Sequence, residues 1–255
     1  MTTSKERYRL MIEEKSLNAP FCECGCGQKT KWSIRTKSYG KYLFNHHLPN
    51  LRGNWTDYIE QVVKGTILGD AYIHPIKSRK GIETGTARLQ LRHSTKRQLE
   101  YIKWKHKVLQ PITTDNIRIR KTPKAFGKEA AEFSTVALPQ IYEIRKQLYI
   151  NGKKTVNYEY LNSLTDFSFS VWWSDDGGHN SISTHSFTED ENHLISNWLN
   201  ERYGLDTWVD LDKRVKLHYI RINGPSMTIL SKILFPYLHR SLWYKLGTHL
   251  NKVLP

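Results

Sequence analysis

Two acidic residues, Asp70 and Asp176, each stand at the end of an apolar segment. The first segment is VVKGTILGDAYI, residues 62–73, and the second is FSFSVWWSDDGG, residues 167–178. An acidic side chain at the end of an apolar helix lies at the negative end of the helix dipole, where an anion is disfavoured unless a cation is present. Two such carboxylates in one chain predict a shared metal site.

The two segments resemble the two motifs of a single-chain LAGLIDADG homing endonuclease. In the nine-residue motif, the first segment places Gly65 and Gly69 at the third and seventh positions and Asp70 at the eighth. The second segment places Val171 third, where a small residue is usual, and Asp176 eighth. The single-chain branch commonly has this second form, similar to WFMDDGG.

This resemblance extends over about residues 55–250 and implies a fold and an activity. We expect an α+β chain of two pseudosymmetric αββαββα halves, residues 51–158 and 159–255, with antiparallel DNA-binding sheets. The implied activity is a site-specific double-strand break in a long double-stranded DNA target, dependent on magnesium or manganese. The implied state is a monomer with internal pseudo-twofold symmetry.

Four residues have catalytic roles by this resemblance. Asp70 and Asp176 are expected to hold the divalent metal, because carboxylates are natural ligands of hard cations. Lys154 in INGKKT and Lys245 in LWYKL match basic residues near the cleavage centre, where they would stabilise charge on the phosphate or orient water. Asp175 is the alternative metal ligand, and we favour Asp176 because it occupies the eighth motif position.

The segments between the motifs are periodic, as the repeat requires. TARLQLRH and NIRIRK alternate apolar with basic or polar residues, which predicts half-buried strands. STKRQLEYIKWKHKVL predicts a helix capped by Ser94, and a third helix is expected to begin near Pro139.

The second half repeats this order over fewer residues. ISTHSF predicts a strand, and Thr188 with Glu191 forms a capping box at the start of a helix that Gly204 is suited to end. A strand pair through TWVDLD and VKLHYIRI and a last helix through SMTILSKILFPYL follow.

The basic faces of these strands form the candidate DNA-reading surface. Arginine and glutamine pair bidentately with guanine and adenine edges in the major groove. A solvated sheet face is the alternative, but the prevalence of arginine over glutamate favours DNA. The candidates are Arg88, Gln90, Arg92, Arg118 and Arg120 in the first half, with His185, Lys216, His218 and Arg221 in the second.

The charge of the chain also favours a nucleic-acid partner. Its 255 residues carry 39 Lys and Arg against 24 Asp and Glu, a net charge of +15, which attracts polyanions. No apolar run approaches the ~20 residues of a membrane-spanning helix. The N-terminal residues lack the apolar core of a secretion signal, so we expect an intracellular protein with no membrane partner.

The three cysteines lie together in FCECGCGQKT, too close for ordinary disulfides and odd in number. They indicate a structural zinc site in an N-terminal segment, residues 1–50, similar to a small CxCGCG…H module. Three reduced thiols in a basic loop are the alternative, and His47 is the alternative fourth ligand. The expected zinc ligands are Cys22, Cys24, Cys26 and His46.

Two rival functions use the same fold. An RNA maturase binds intron RNA through a basic surface and can lose cleavage, and a transcriptional regulator can bind DNA without cutting it. Neither needs Asp70 and Asp176 together, so the presence of both aspartates favours a nuclease.

Overall fold

The computed structural model describes residues 4–21, 29–33, 36–40, 55–122 and 128–254. The chain forms two compact units, Met1–Trp55 and Thr56–Pro255. Within the described ranges, no helix has the length and apolar character needed to cross a bilayer.

The first unit contains helix α1 (Ser4–Leu17) and an antiparallel pair of short strands, β1 (Trp32–Ser33) and β2 (Ser38–Tyr39). The Tyr39 hydroxyl donates to the Lys15 carbonyl at 2.9 Å, and the Lys15 ammonium lies 5.1 Å from the centre of the Trp32 ring. These contacts hold the strand pair against the helix. The expected zinc ligands, Cys22, Cys24, Cys26 and His46, and the alternative His47, lie outside the described residues.

The first half of the second unit has the order αββαββα. Its elements are α2 (Asp57–Leu68), β3 (Ala71–Lys77), β4 (Glu83–Ser94), α3 (Thr95–Leu109), β5 (Arg118–Thr122), β6 (Lys128–Ser134) and α4 (Pro139–Leu148). The strands form one antiparallel sheet in the order β3-β4-β6-β5. A short hairpin, β7 (Tyr149–Ile150) and β8 (Lys153–Lys154), and helix α5 (Tyr158–Asn162) lead to the second half.

The second half repeats the same order. Its elements are α6 (Asp166–Asp176), β9 (Gly177–Gly178), β10 (Ser181–Ile182), α7 (Glu189–Tyr203), β11 (Thr207–Asp212), β12 (Leu217–Ile222) and α8 (Gly224–Leu234). The sheet order is β11-β12-β10-β9, again antiparallel. A 3₁₀ run, Arg240–Lys252, kinked at Gly247, follows. The expected α+β fold with two αββαββα halves is confirmed.

The local signals that end and begin these helices act as the sequence predicts. The Ser94 side chain accepts from the Lys96 N–H at the start of α3. Thr188 and Glu191 form the capping box of α7, and Gly204 ends that helix in the left-handed conformation, with φ 63°. The polar caps satisfy backbone groups that a helix terminus leaves unpaired.

One predicted strand is wrong in its extent. The strand through ISTHSF ends at Ile182, because Thr184 bonds elsewhere. The Thr184 hydroxyl donates to the Asn192 side chain, and its carbonyl accepts from the Phe187 N–H at 3.0 Å. These bonds turn the chain toward the cap of α7 and replace the strand ladder.

Helices α2 and α6 pack at very short range through two glycines. A Cβ atom on Gly65 would lie 2.1 Å from the Ser168 carbonyl oxygen, and one on Gly69 would lie 2.5 Å from the Asp175 Cβ. The contacts advance in the same direction along both helices, so the helices run parallel. Their carboxyl-terminal ends therefore lie side by side.

Replacing Gly65 with alanine should destabilise the second unit by about 3 kcal/mol, at the upper end of the usual range for overpacked sites, since the added methyl group meets a backbone carbonyl. Urea unfolding measures the loss. Gly224→Ala is the matched control, because a Cβ there meets nothing within 4 Å. Equal unfolding free energies for the two variants would contradict the close packing.

Candidate active site

The two motif aspartates lie at the paired ends of α2 and α6. Asp70 follows the helix cap Gly69, and Asp176 is the last residue of α6. Burial raises the pKa of Asp176 well above its usual value, and the negative charges of Asp70 and Asp175 raise it further. Three carboxylates thus crowd one end of the helix pair, which favours the presence of a cation.

The two aspartates have different surroundings. The Asp70 side chain is 29% exposed, and its Oδ2 lies 3.2 Å from Nδ1 of His93. Burial alone would raise the pKa of Asp70, but contact with His93 and the positive charges of Lys105 and Lys245 hold it below its usual value. Asp176 instead accepts from the indole N–H of Trp172 at 3.3 Å.

A lysine caps the carboxyl-terminal end of the first motif helix. Lys154, on β8, donates to the carbonyls of Ile67 at 2.9 Å and Gly69 at 3.0 Å. Burial lowers the pKa of Lys154, while the charges of Asp176 and Asp70 oppose that shift. The ammonium therefore sits where the helix dipole favours a cation.

The second motif helix has an equivalent cap. Lys245, in the 3₁₀ run, donates to the carbonyls of Ser174 at 2.6 Å and Asp175 at 2.9 Å. Burial lowers the pKa of this lysine as well, and the three neighbouring aspartates oppose the shift. Lys154 and Lys245 thus occupy matching places in the two halves, one at each helix end.

Asp175 belongs to a buried cluster that sequence reasoning missed. Lys105 of α3 places its ammonium 2.6 and 2.8 Å from the two Asp175 carboxylate oxygens, and both side chains are fully buried. The Thr66 hydroxyl accepts from Lys105 and donates to Asp175 at 2.8 Å. His93 completes the cluster, with Nε2 3.2 Å from the Lys105 ammonium.

The sequence did carry a signal for this cluster. Lys105 lies four residues after Tyr101 and four before Leu109, on the buried face of α3. His93 follows Leu91 at the strand period of two, on the buried face of β4. A basic residue in phase with an apolar stripe must have a buried partner, because an isolated charge is costly to bury.

The donor set at this end of the helices suits a hard divalent cation. Among the described residues, the ligand atoms of Asp70, His93 and Asp175 lie within 4.8 Å of one another, and Asp176 is not part of this group. Asp175 is already bound by Lys105 and Thr66, whereas Asp70 retains partial exposure. Burial and, after it, the negative charges of Asp70 and Asp175 raise the pKa of Asp176, and a cation between the carboxylates would oppose both effects.

In the first half, the predicted strand alternation of the DNA-reading candidates is observed. Arg88, Gln90 and Arg92 share one face of β4, while the intervening apolar residues are buried. Arg92 donates to Glu132 at 2.6 and 2.9 Å, and Arg120 pairs with the same carboxylate. Two further contacts join Gln90 with His74 at 2.8 Å and Arg118 with Asp115 at 3.3 Å.

In the second half, two candidates share the equivalent face. Arg221 lies opposite the half-exposed Trp208, with its guanidinium 3.8 Å from Asp210. The His185 ring stacks on Tyr219 at 5.4 Å, although His185 lies in a turn and not in a strand.

The other two candidates of this half lie elsewhere. Lys216 has a left-handed backbone, φ 55°, in the turn before β12. The His218 side chain lies on the same face of β12 as the buried Ile220 and Ile222. Its Nε2 lies 3.6 Å from Glu189 of α7. The helix-covered side of the sheet therefore holds His218, which corrects its assignment to the DNA-reading face.

Comparison with known proteins identifies the family. Residues 60–230 match the model of the LAGLIDADG DNA endonuclease family. Among solved structures, the homing endonuclease I-WcaI bound to its DNA recognition sequence superposes with a TM-score of 0.67 at 21% identity, covering 78% of this chain and 91% of that one.

Two relatives are named for functions other than DNA cleavage. The cytochrome b mRNA maturase bI2 of Debaryomyces hansenii is 26% identical over 199 residues, 74% of either chain. The protein RecA of Mycolicibacterium flavescens is 24% identical over 205 residues, 73% of this chain, and the match spans only 45% of that relative's length.

Replacing Lys105 with methionine should cost about 3 to 5 kcal/mol of unfolding free energy, because Asp175 is then buried without its cation. Chemical denaturation measures the loss. Lys103→Met, which removes an exposed lysine two residues away on the same helix, should cost less than about 1 kcal/mol.

Combining Lys105→Met with Asp175→Asn should recover most of the lost stability, since the uncompensated charge is gone. A double variant no more stable than Lys105→Met alone would contradict the ion-pair assignment.

Proposed function

Because the chain belongs to the LAGLIDADG DNA endonuclease family, we propose that it makes a site-specific, metal-dependent double-strand break in DNA. The observation that carries the proposal is the repeated pair at the helix ends. Asp70 with Lys154 and Asp176 with Lys245 occupy matching positions in the two halves. Two equivalent sets of groups suit two phosphodiesters, one on each strand.

Asp70 and Asp176 are the proposed ligands of magnesium or manganese. Asp175 is less suited, because its oxygens already accept from Lys105 and Thr66. Asp70 and Asp176 would hold the divalent cation, which would supply a bound water of lowered pKa and neutralise charge on the phosphate. The crowding of the carboxylates supports this assignment.

The two capping lysines are proposed to act on the phosphate and the attacking water. Each is fixed by helix carbonyls, so its ammonium is positioned before DNA binds. A preorganised cation stabilises developing negative charge more effectively than one that must reorient. Both lysines are partly buried, which strengthens their electrostatic effect.

The best-supported part of the proposed DNA surface is the arginine-rich face of the first sheet. Glu132 holds Arg92 and Arg120 in place, so these guanidinium groups lose little side-chain freedom when they meet bases or phosphates. The remaining candidates on this face are Arg88, Gln90 and Arg118, with Arg221 on the second sheet and His185 in the turn that packs on it.

An RNA maturase is the second candidate, favoured by the similarity to the maturase bI2 of Debaryomyces hansenii. A maturase would bind intron RNA, whereas the proposed endonuclease binds duplex DNA. Selection of cleaved sites from a random DNA library with magnesium identifies a duplex target, and intron RNA is then offered as competitor at matched salt. RNA that outcompetes the selected duplex would favour the maturase.

For the N-terminal segment, residues 1–50, we propose one structural zinc ion held by three thiolates and an imidazole, a set that leaves no coordination position for a substrate water. The two αββαββα halves, residues 51–158 and 159–255, remain the proposed domains beside it. The proposed zinc ligands are Cys22, Cys24, Cys26 and His46, with His47 as the alternative to His46.

Elemental analysis of protein purified without added metal should give one zinc per chain. The substitution Cys24→Ser should abolish zinc retention, because structural sites need all four ligands. Zinc well below one equivalent in folded wild-type protein would contradict this assignment.

Replacing Asp70 or Asp176 with asparagine should abolish double-strand cleavage of the selected target while leaving DNA affinity nearly unchanged. Each change removes the charge of a proposed metal ligand with little change of shape. Gel-based cleavage and binding titrations on the same duplex measure both effects.

Asp175→Asn provides the comparison at the neighbouring position. It should lower stability, since it breaks the buried pair with Lys105, yet the folded fraction should still cut DNA. Cleavage by Asp176→Asn at the wild-type rate, or abolished cleavage by folded Asp175→Asn alone, would overturn the choice of ligands.

A further inference from the structure

His93 is fully buried and lies between the first motif aspartate and the buried ion pair. Its Nδ1 is 3.2 Å from Asp70 Oδ2, and its Nε2 is 3.2 Å from the Lys105 ammonium and 3.9 Å from Asp175 Oδ1. Its ring also meets the edge of Tyr101, with centroids 5.4 Å apart. The imidazole therefore has a fixed orientation between two charged groups.

Lys105 determines which ring nitrogen of His93 carries the proton. An ammonium group has three donors and no acceptor. Four acceptor atoms surround it, namely Thr66 Oγ1, the two Asp175 carboxylate oxygens and His93 Nε2, and the ammonium can only donate to each of them. Nε2 must therefore be the unprotonated, accepting nitrogen, and the ring proton lies on Nδ1.

A proton on Nδ1 faces Asp70. Among the described residues Nδ1 has no aligned hydrogen-bond partner, and the acceptor it faces is Asp70 Oδ2, 3.2 Å away. The same proton prevents Nδ1 from ligating a metal, because ligation needs a free lone pair. His93 thus differs from a metal ligand although it lies within 4.8 Å of the acidic groups.

We propose that His93 is a positioning residue that fixes the Asp70 carboxylate through its Nδ1 proton, with its tautomer set by Lys105. The inference rests on the proposed nuclease function only for its consequence in cleavage. Fixing Oδ2 leaves Oδ1 of Asp70 directed to the cation, as partners outside the ligand set commonly orient metal ligands.

The consequence of this arrangement is specific to one half. Asp176, the equivalent carboxylate, accepts from the indole N–H of Trp172, and its described contacts include no histidine. Loss of His93 should therefore slow cleavage of the strand served by Asp70 and spare the strand served by Asp176. Misfolding would slow both strands together.

Two substitutions separate the two contacts of the ring. His93→Asn places an amide N–H near the position of Nδ1, so it keeps the contact with Asp70 and loses that with Lys105. His93→Gln places its amide near Nε2, so it keeps the contact with Lys105 and loses that with Asp70. Their unfolding free energies are compared first, so that both are assayed as folded protein.

The first measurement uses metal-free protein and no DNA. Two-bond proton–nitrogen correlation spectra of ¹⁵N-histidine-labelled protein, with the His93 signal identified by its loss in His93→Gln, should show Nδ1 protonated and Nε2 unprotonated. The opposite tautomer, or a ring protonated on both nitrogens, overturns the proposal whatever the protein does to DNA.

The second measurement follows each strand of the selected target in single-turnover cleavage. His93→Gln should slow one strand about 10- to 100-fold and accumulate nicked duplex, and the slowed strand should be the one slowed in Asp70→Asn. His93→Asn should retain most of the rate. Equal slowing of both strands by His93→Gln, or no slowing, overturns the positioning role, whereas a wild-type protein that cuts neither strand refutes the nuclease proposal itself.

Discussion

Gly65 has no side chain at the point where its helix meets the carbonyl oxygen of Ser168, and the whole candidate site depends on that absence. A Cβ atom there would lie 2.1 Å from the oxygen. The close approach keeps α2 and α6 parallel and brings Asp70 and Asp176 to the same end of the pair. A larger residue would separate the helices and, with them, the carboxylates.

Electrostatics then determines what else must be present at that end. Three aspartates and two sets of helix carbonyls make it strongly negative. Lys105 neutralises Asp175 from within the core, while Lys154 and Lys245 cap the helix ends. The carboxylates left for a cation are Asp70 and Asp176, and His93 gives Asp70 a contact that differs from that of Asp176.

The arrangement of the two halves was predictable because its signals are local. The capping box at Thr188 and Glu191 and the left-handed Gly204 place α7 from a few residues each. The strand predicted through ISTHSF was too long, because Thr184 bonds to Asn192 of the next helix and not to a neighbouring strand. Strand propensity alone does not include that competing partner.

The candidate site was predictable only in part, for a similar reason. Motif positions identify Asp70 and Asp176, but the pairing of Lys105 with Asp175 joins residues far apart in the chain. His218 was also predicted on the wrong face of its sheet, because the register of β12 places it on the side of the buried Ile220 and Ile222. A shift of one residue reverses the face of every side chain, and only pairing with neighbouring strands fixes it.

The most direct test of the account is a crystal structure of the protein with its selected duplex and manganese, with anomalous scattering measured at the manganese edge. We expect manganese in contact with carboxylate oxygens of Asp70 and Asp176, beside the scissile phosphates, while Asp175 stays paired with Lys105. Manganese bound to Asp175, or no manganese at the ends of α2 and α6, would contradict it.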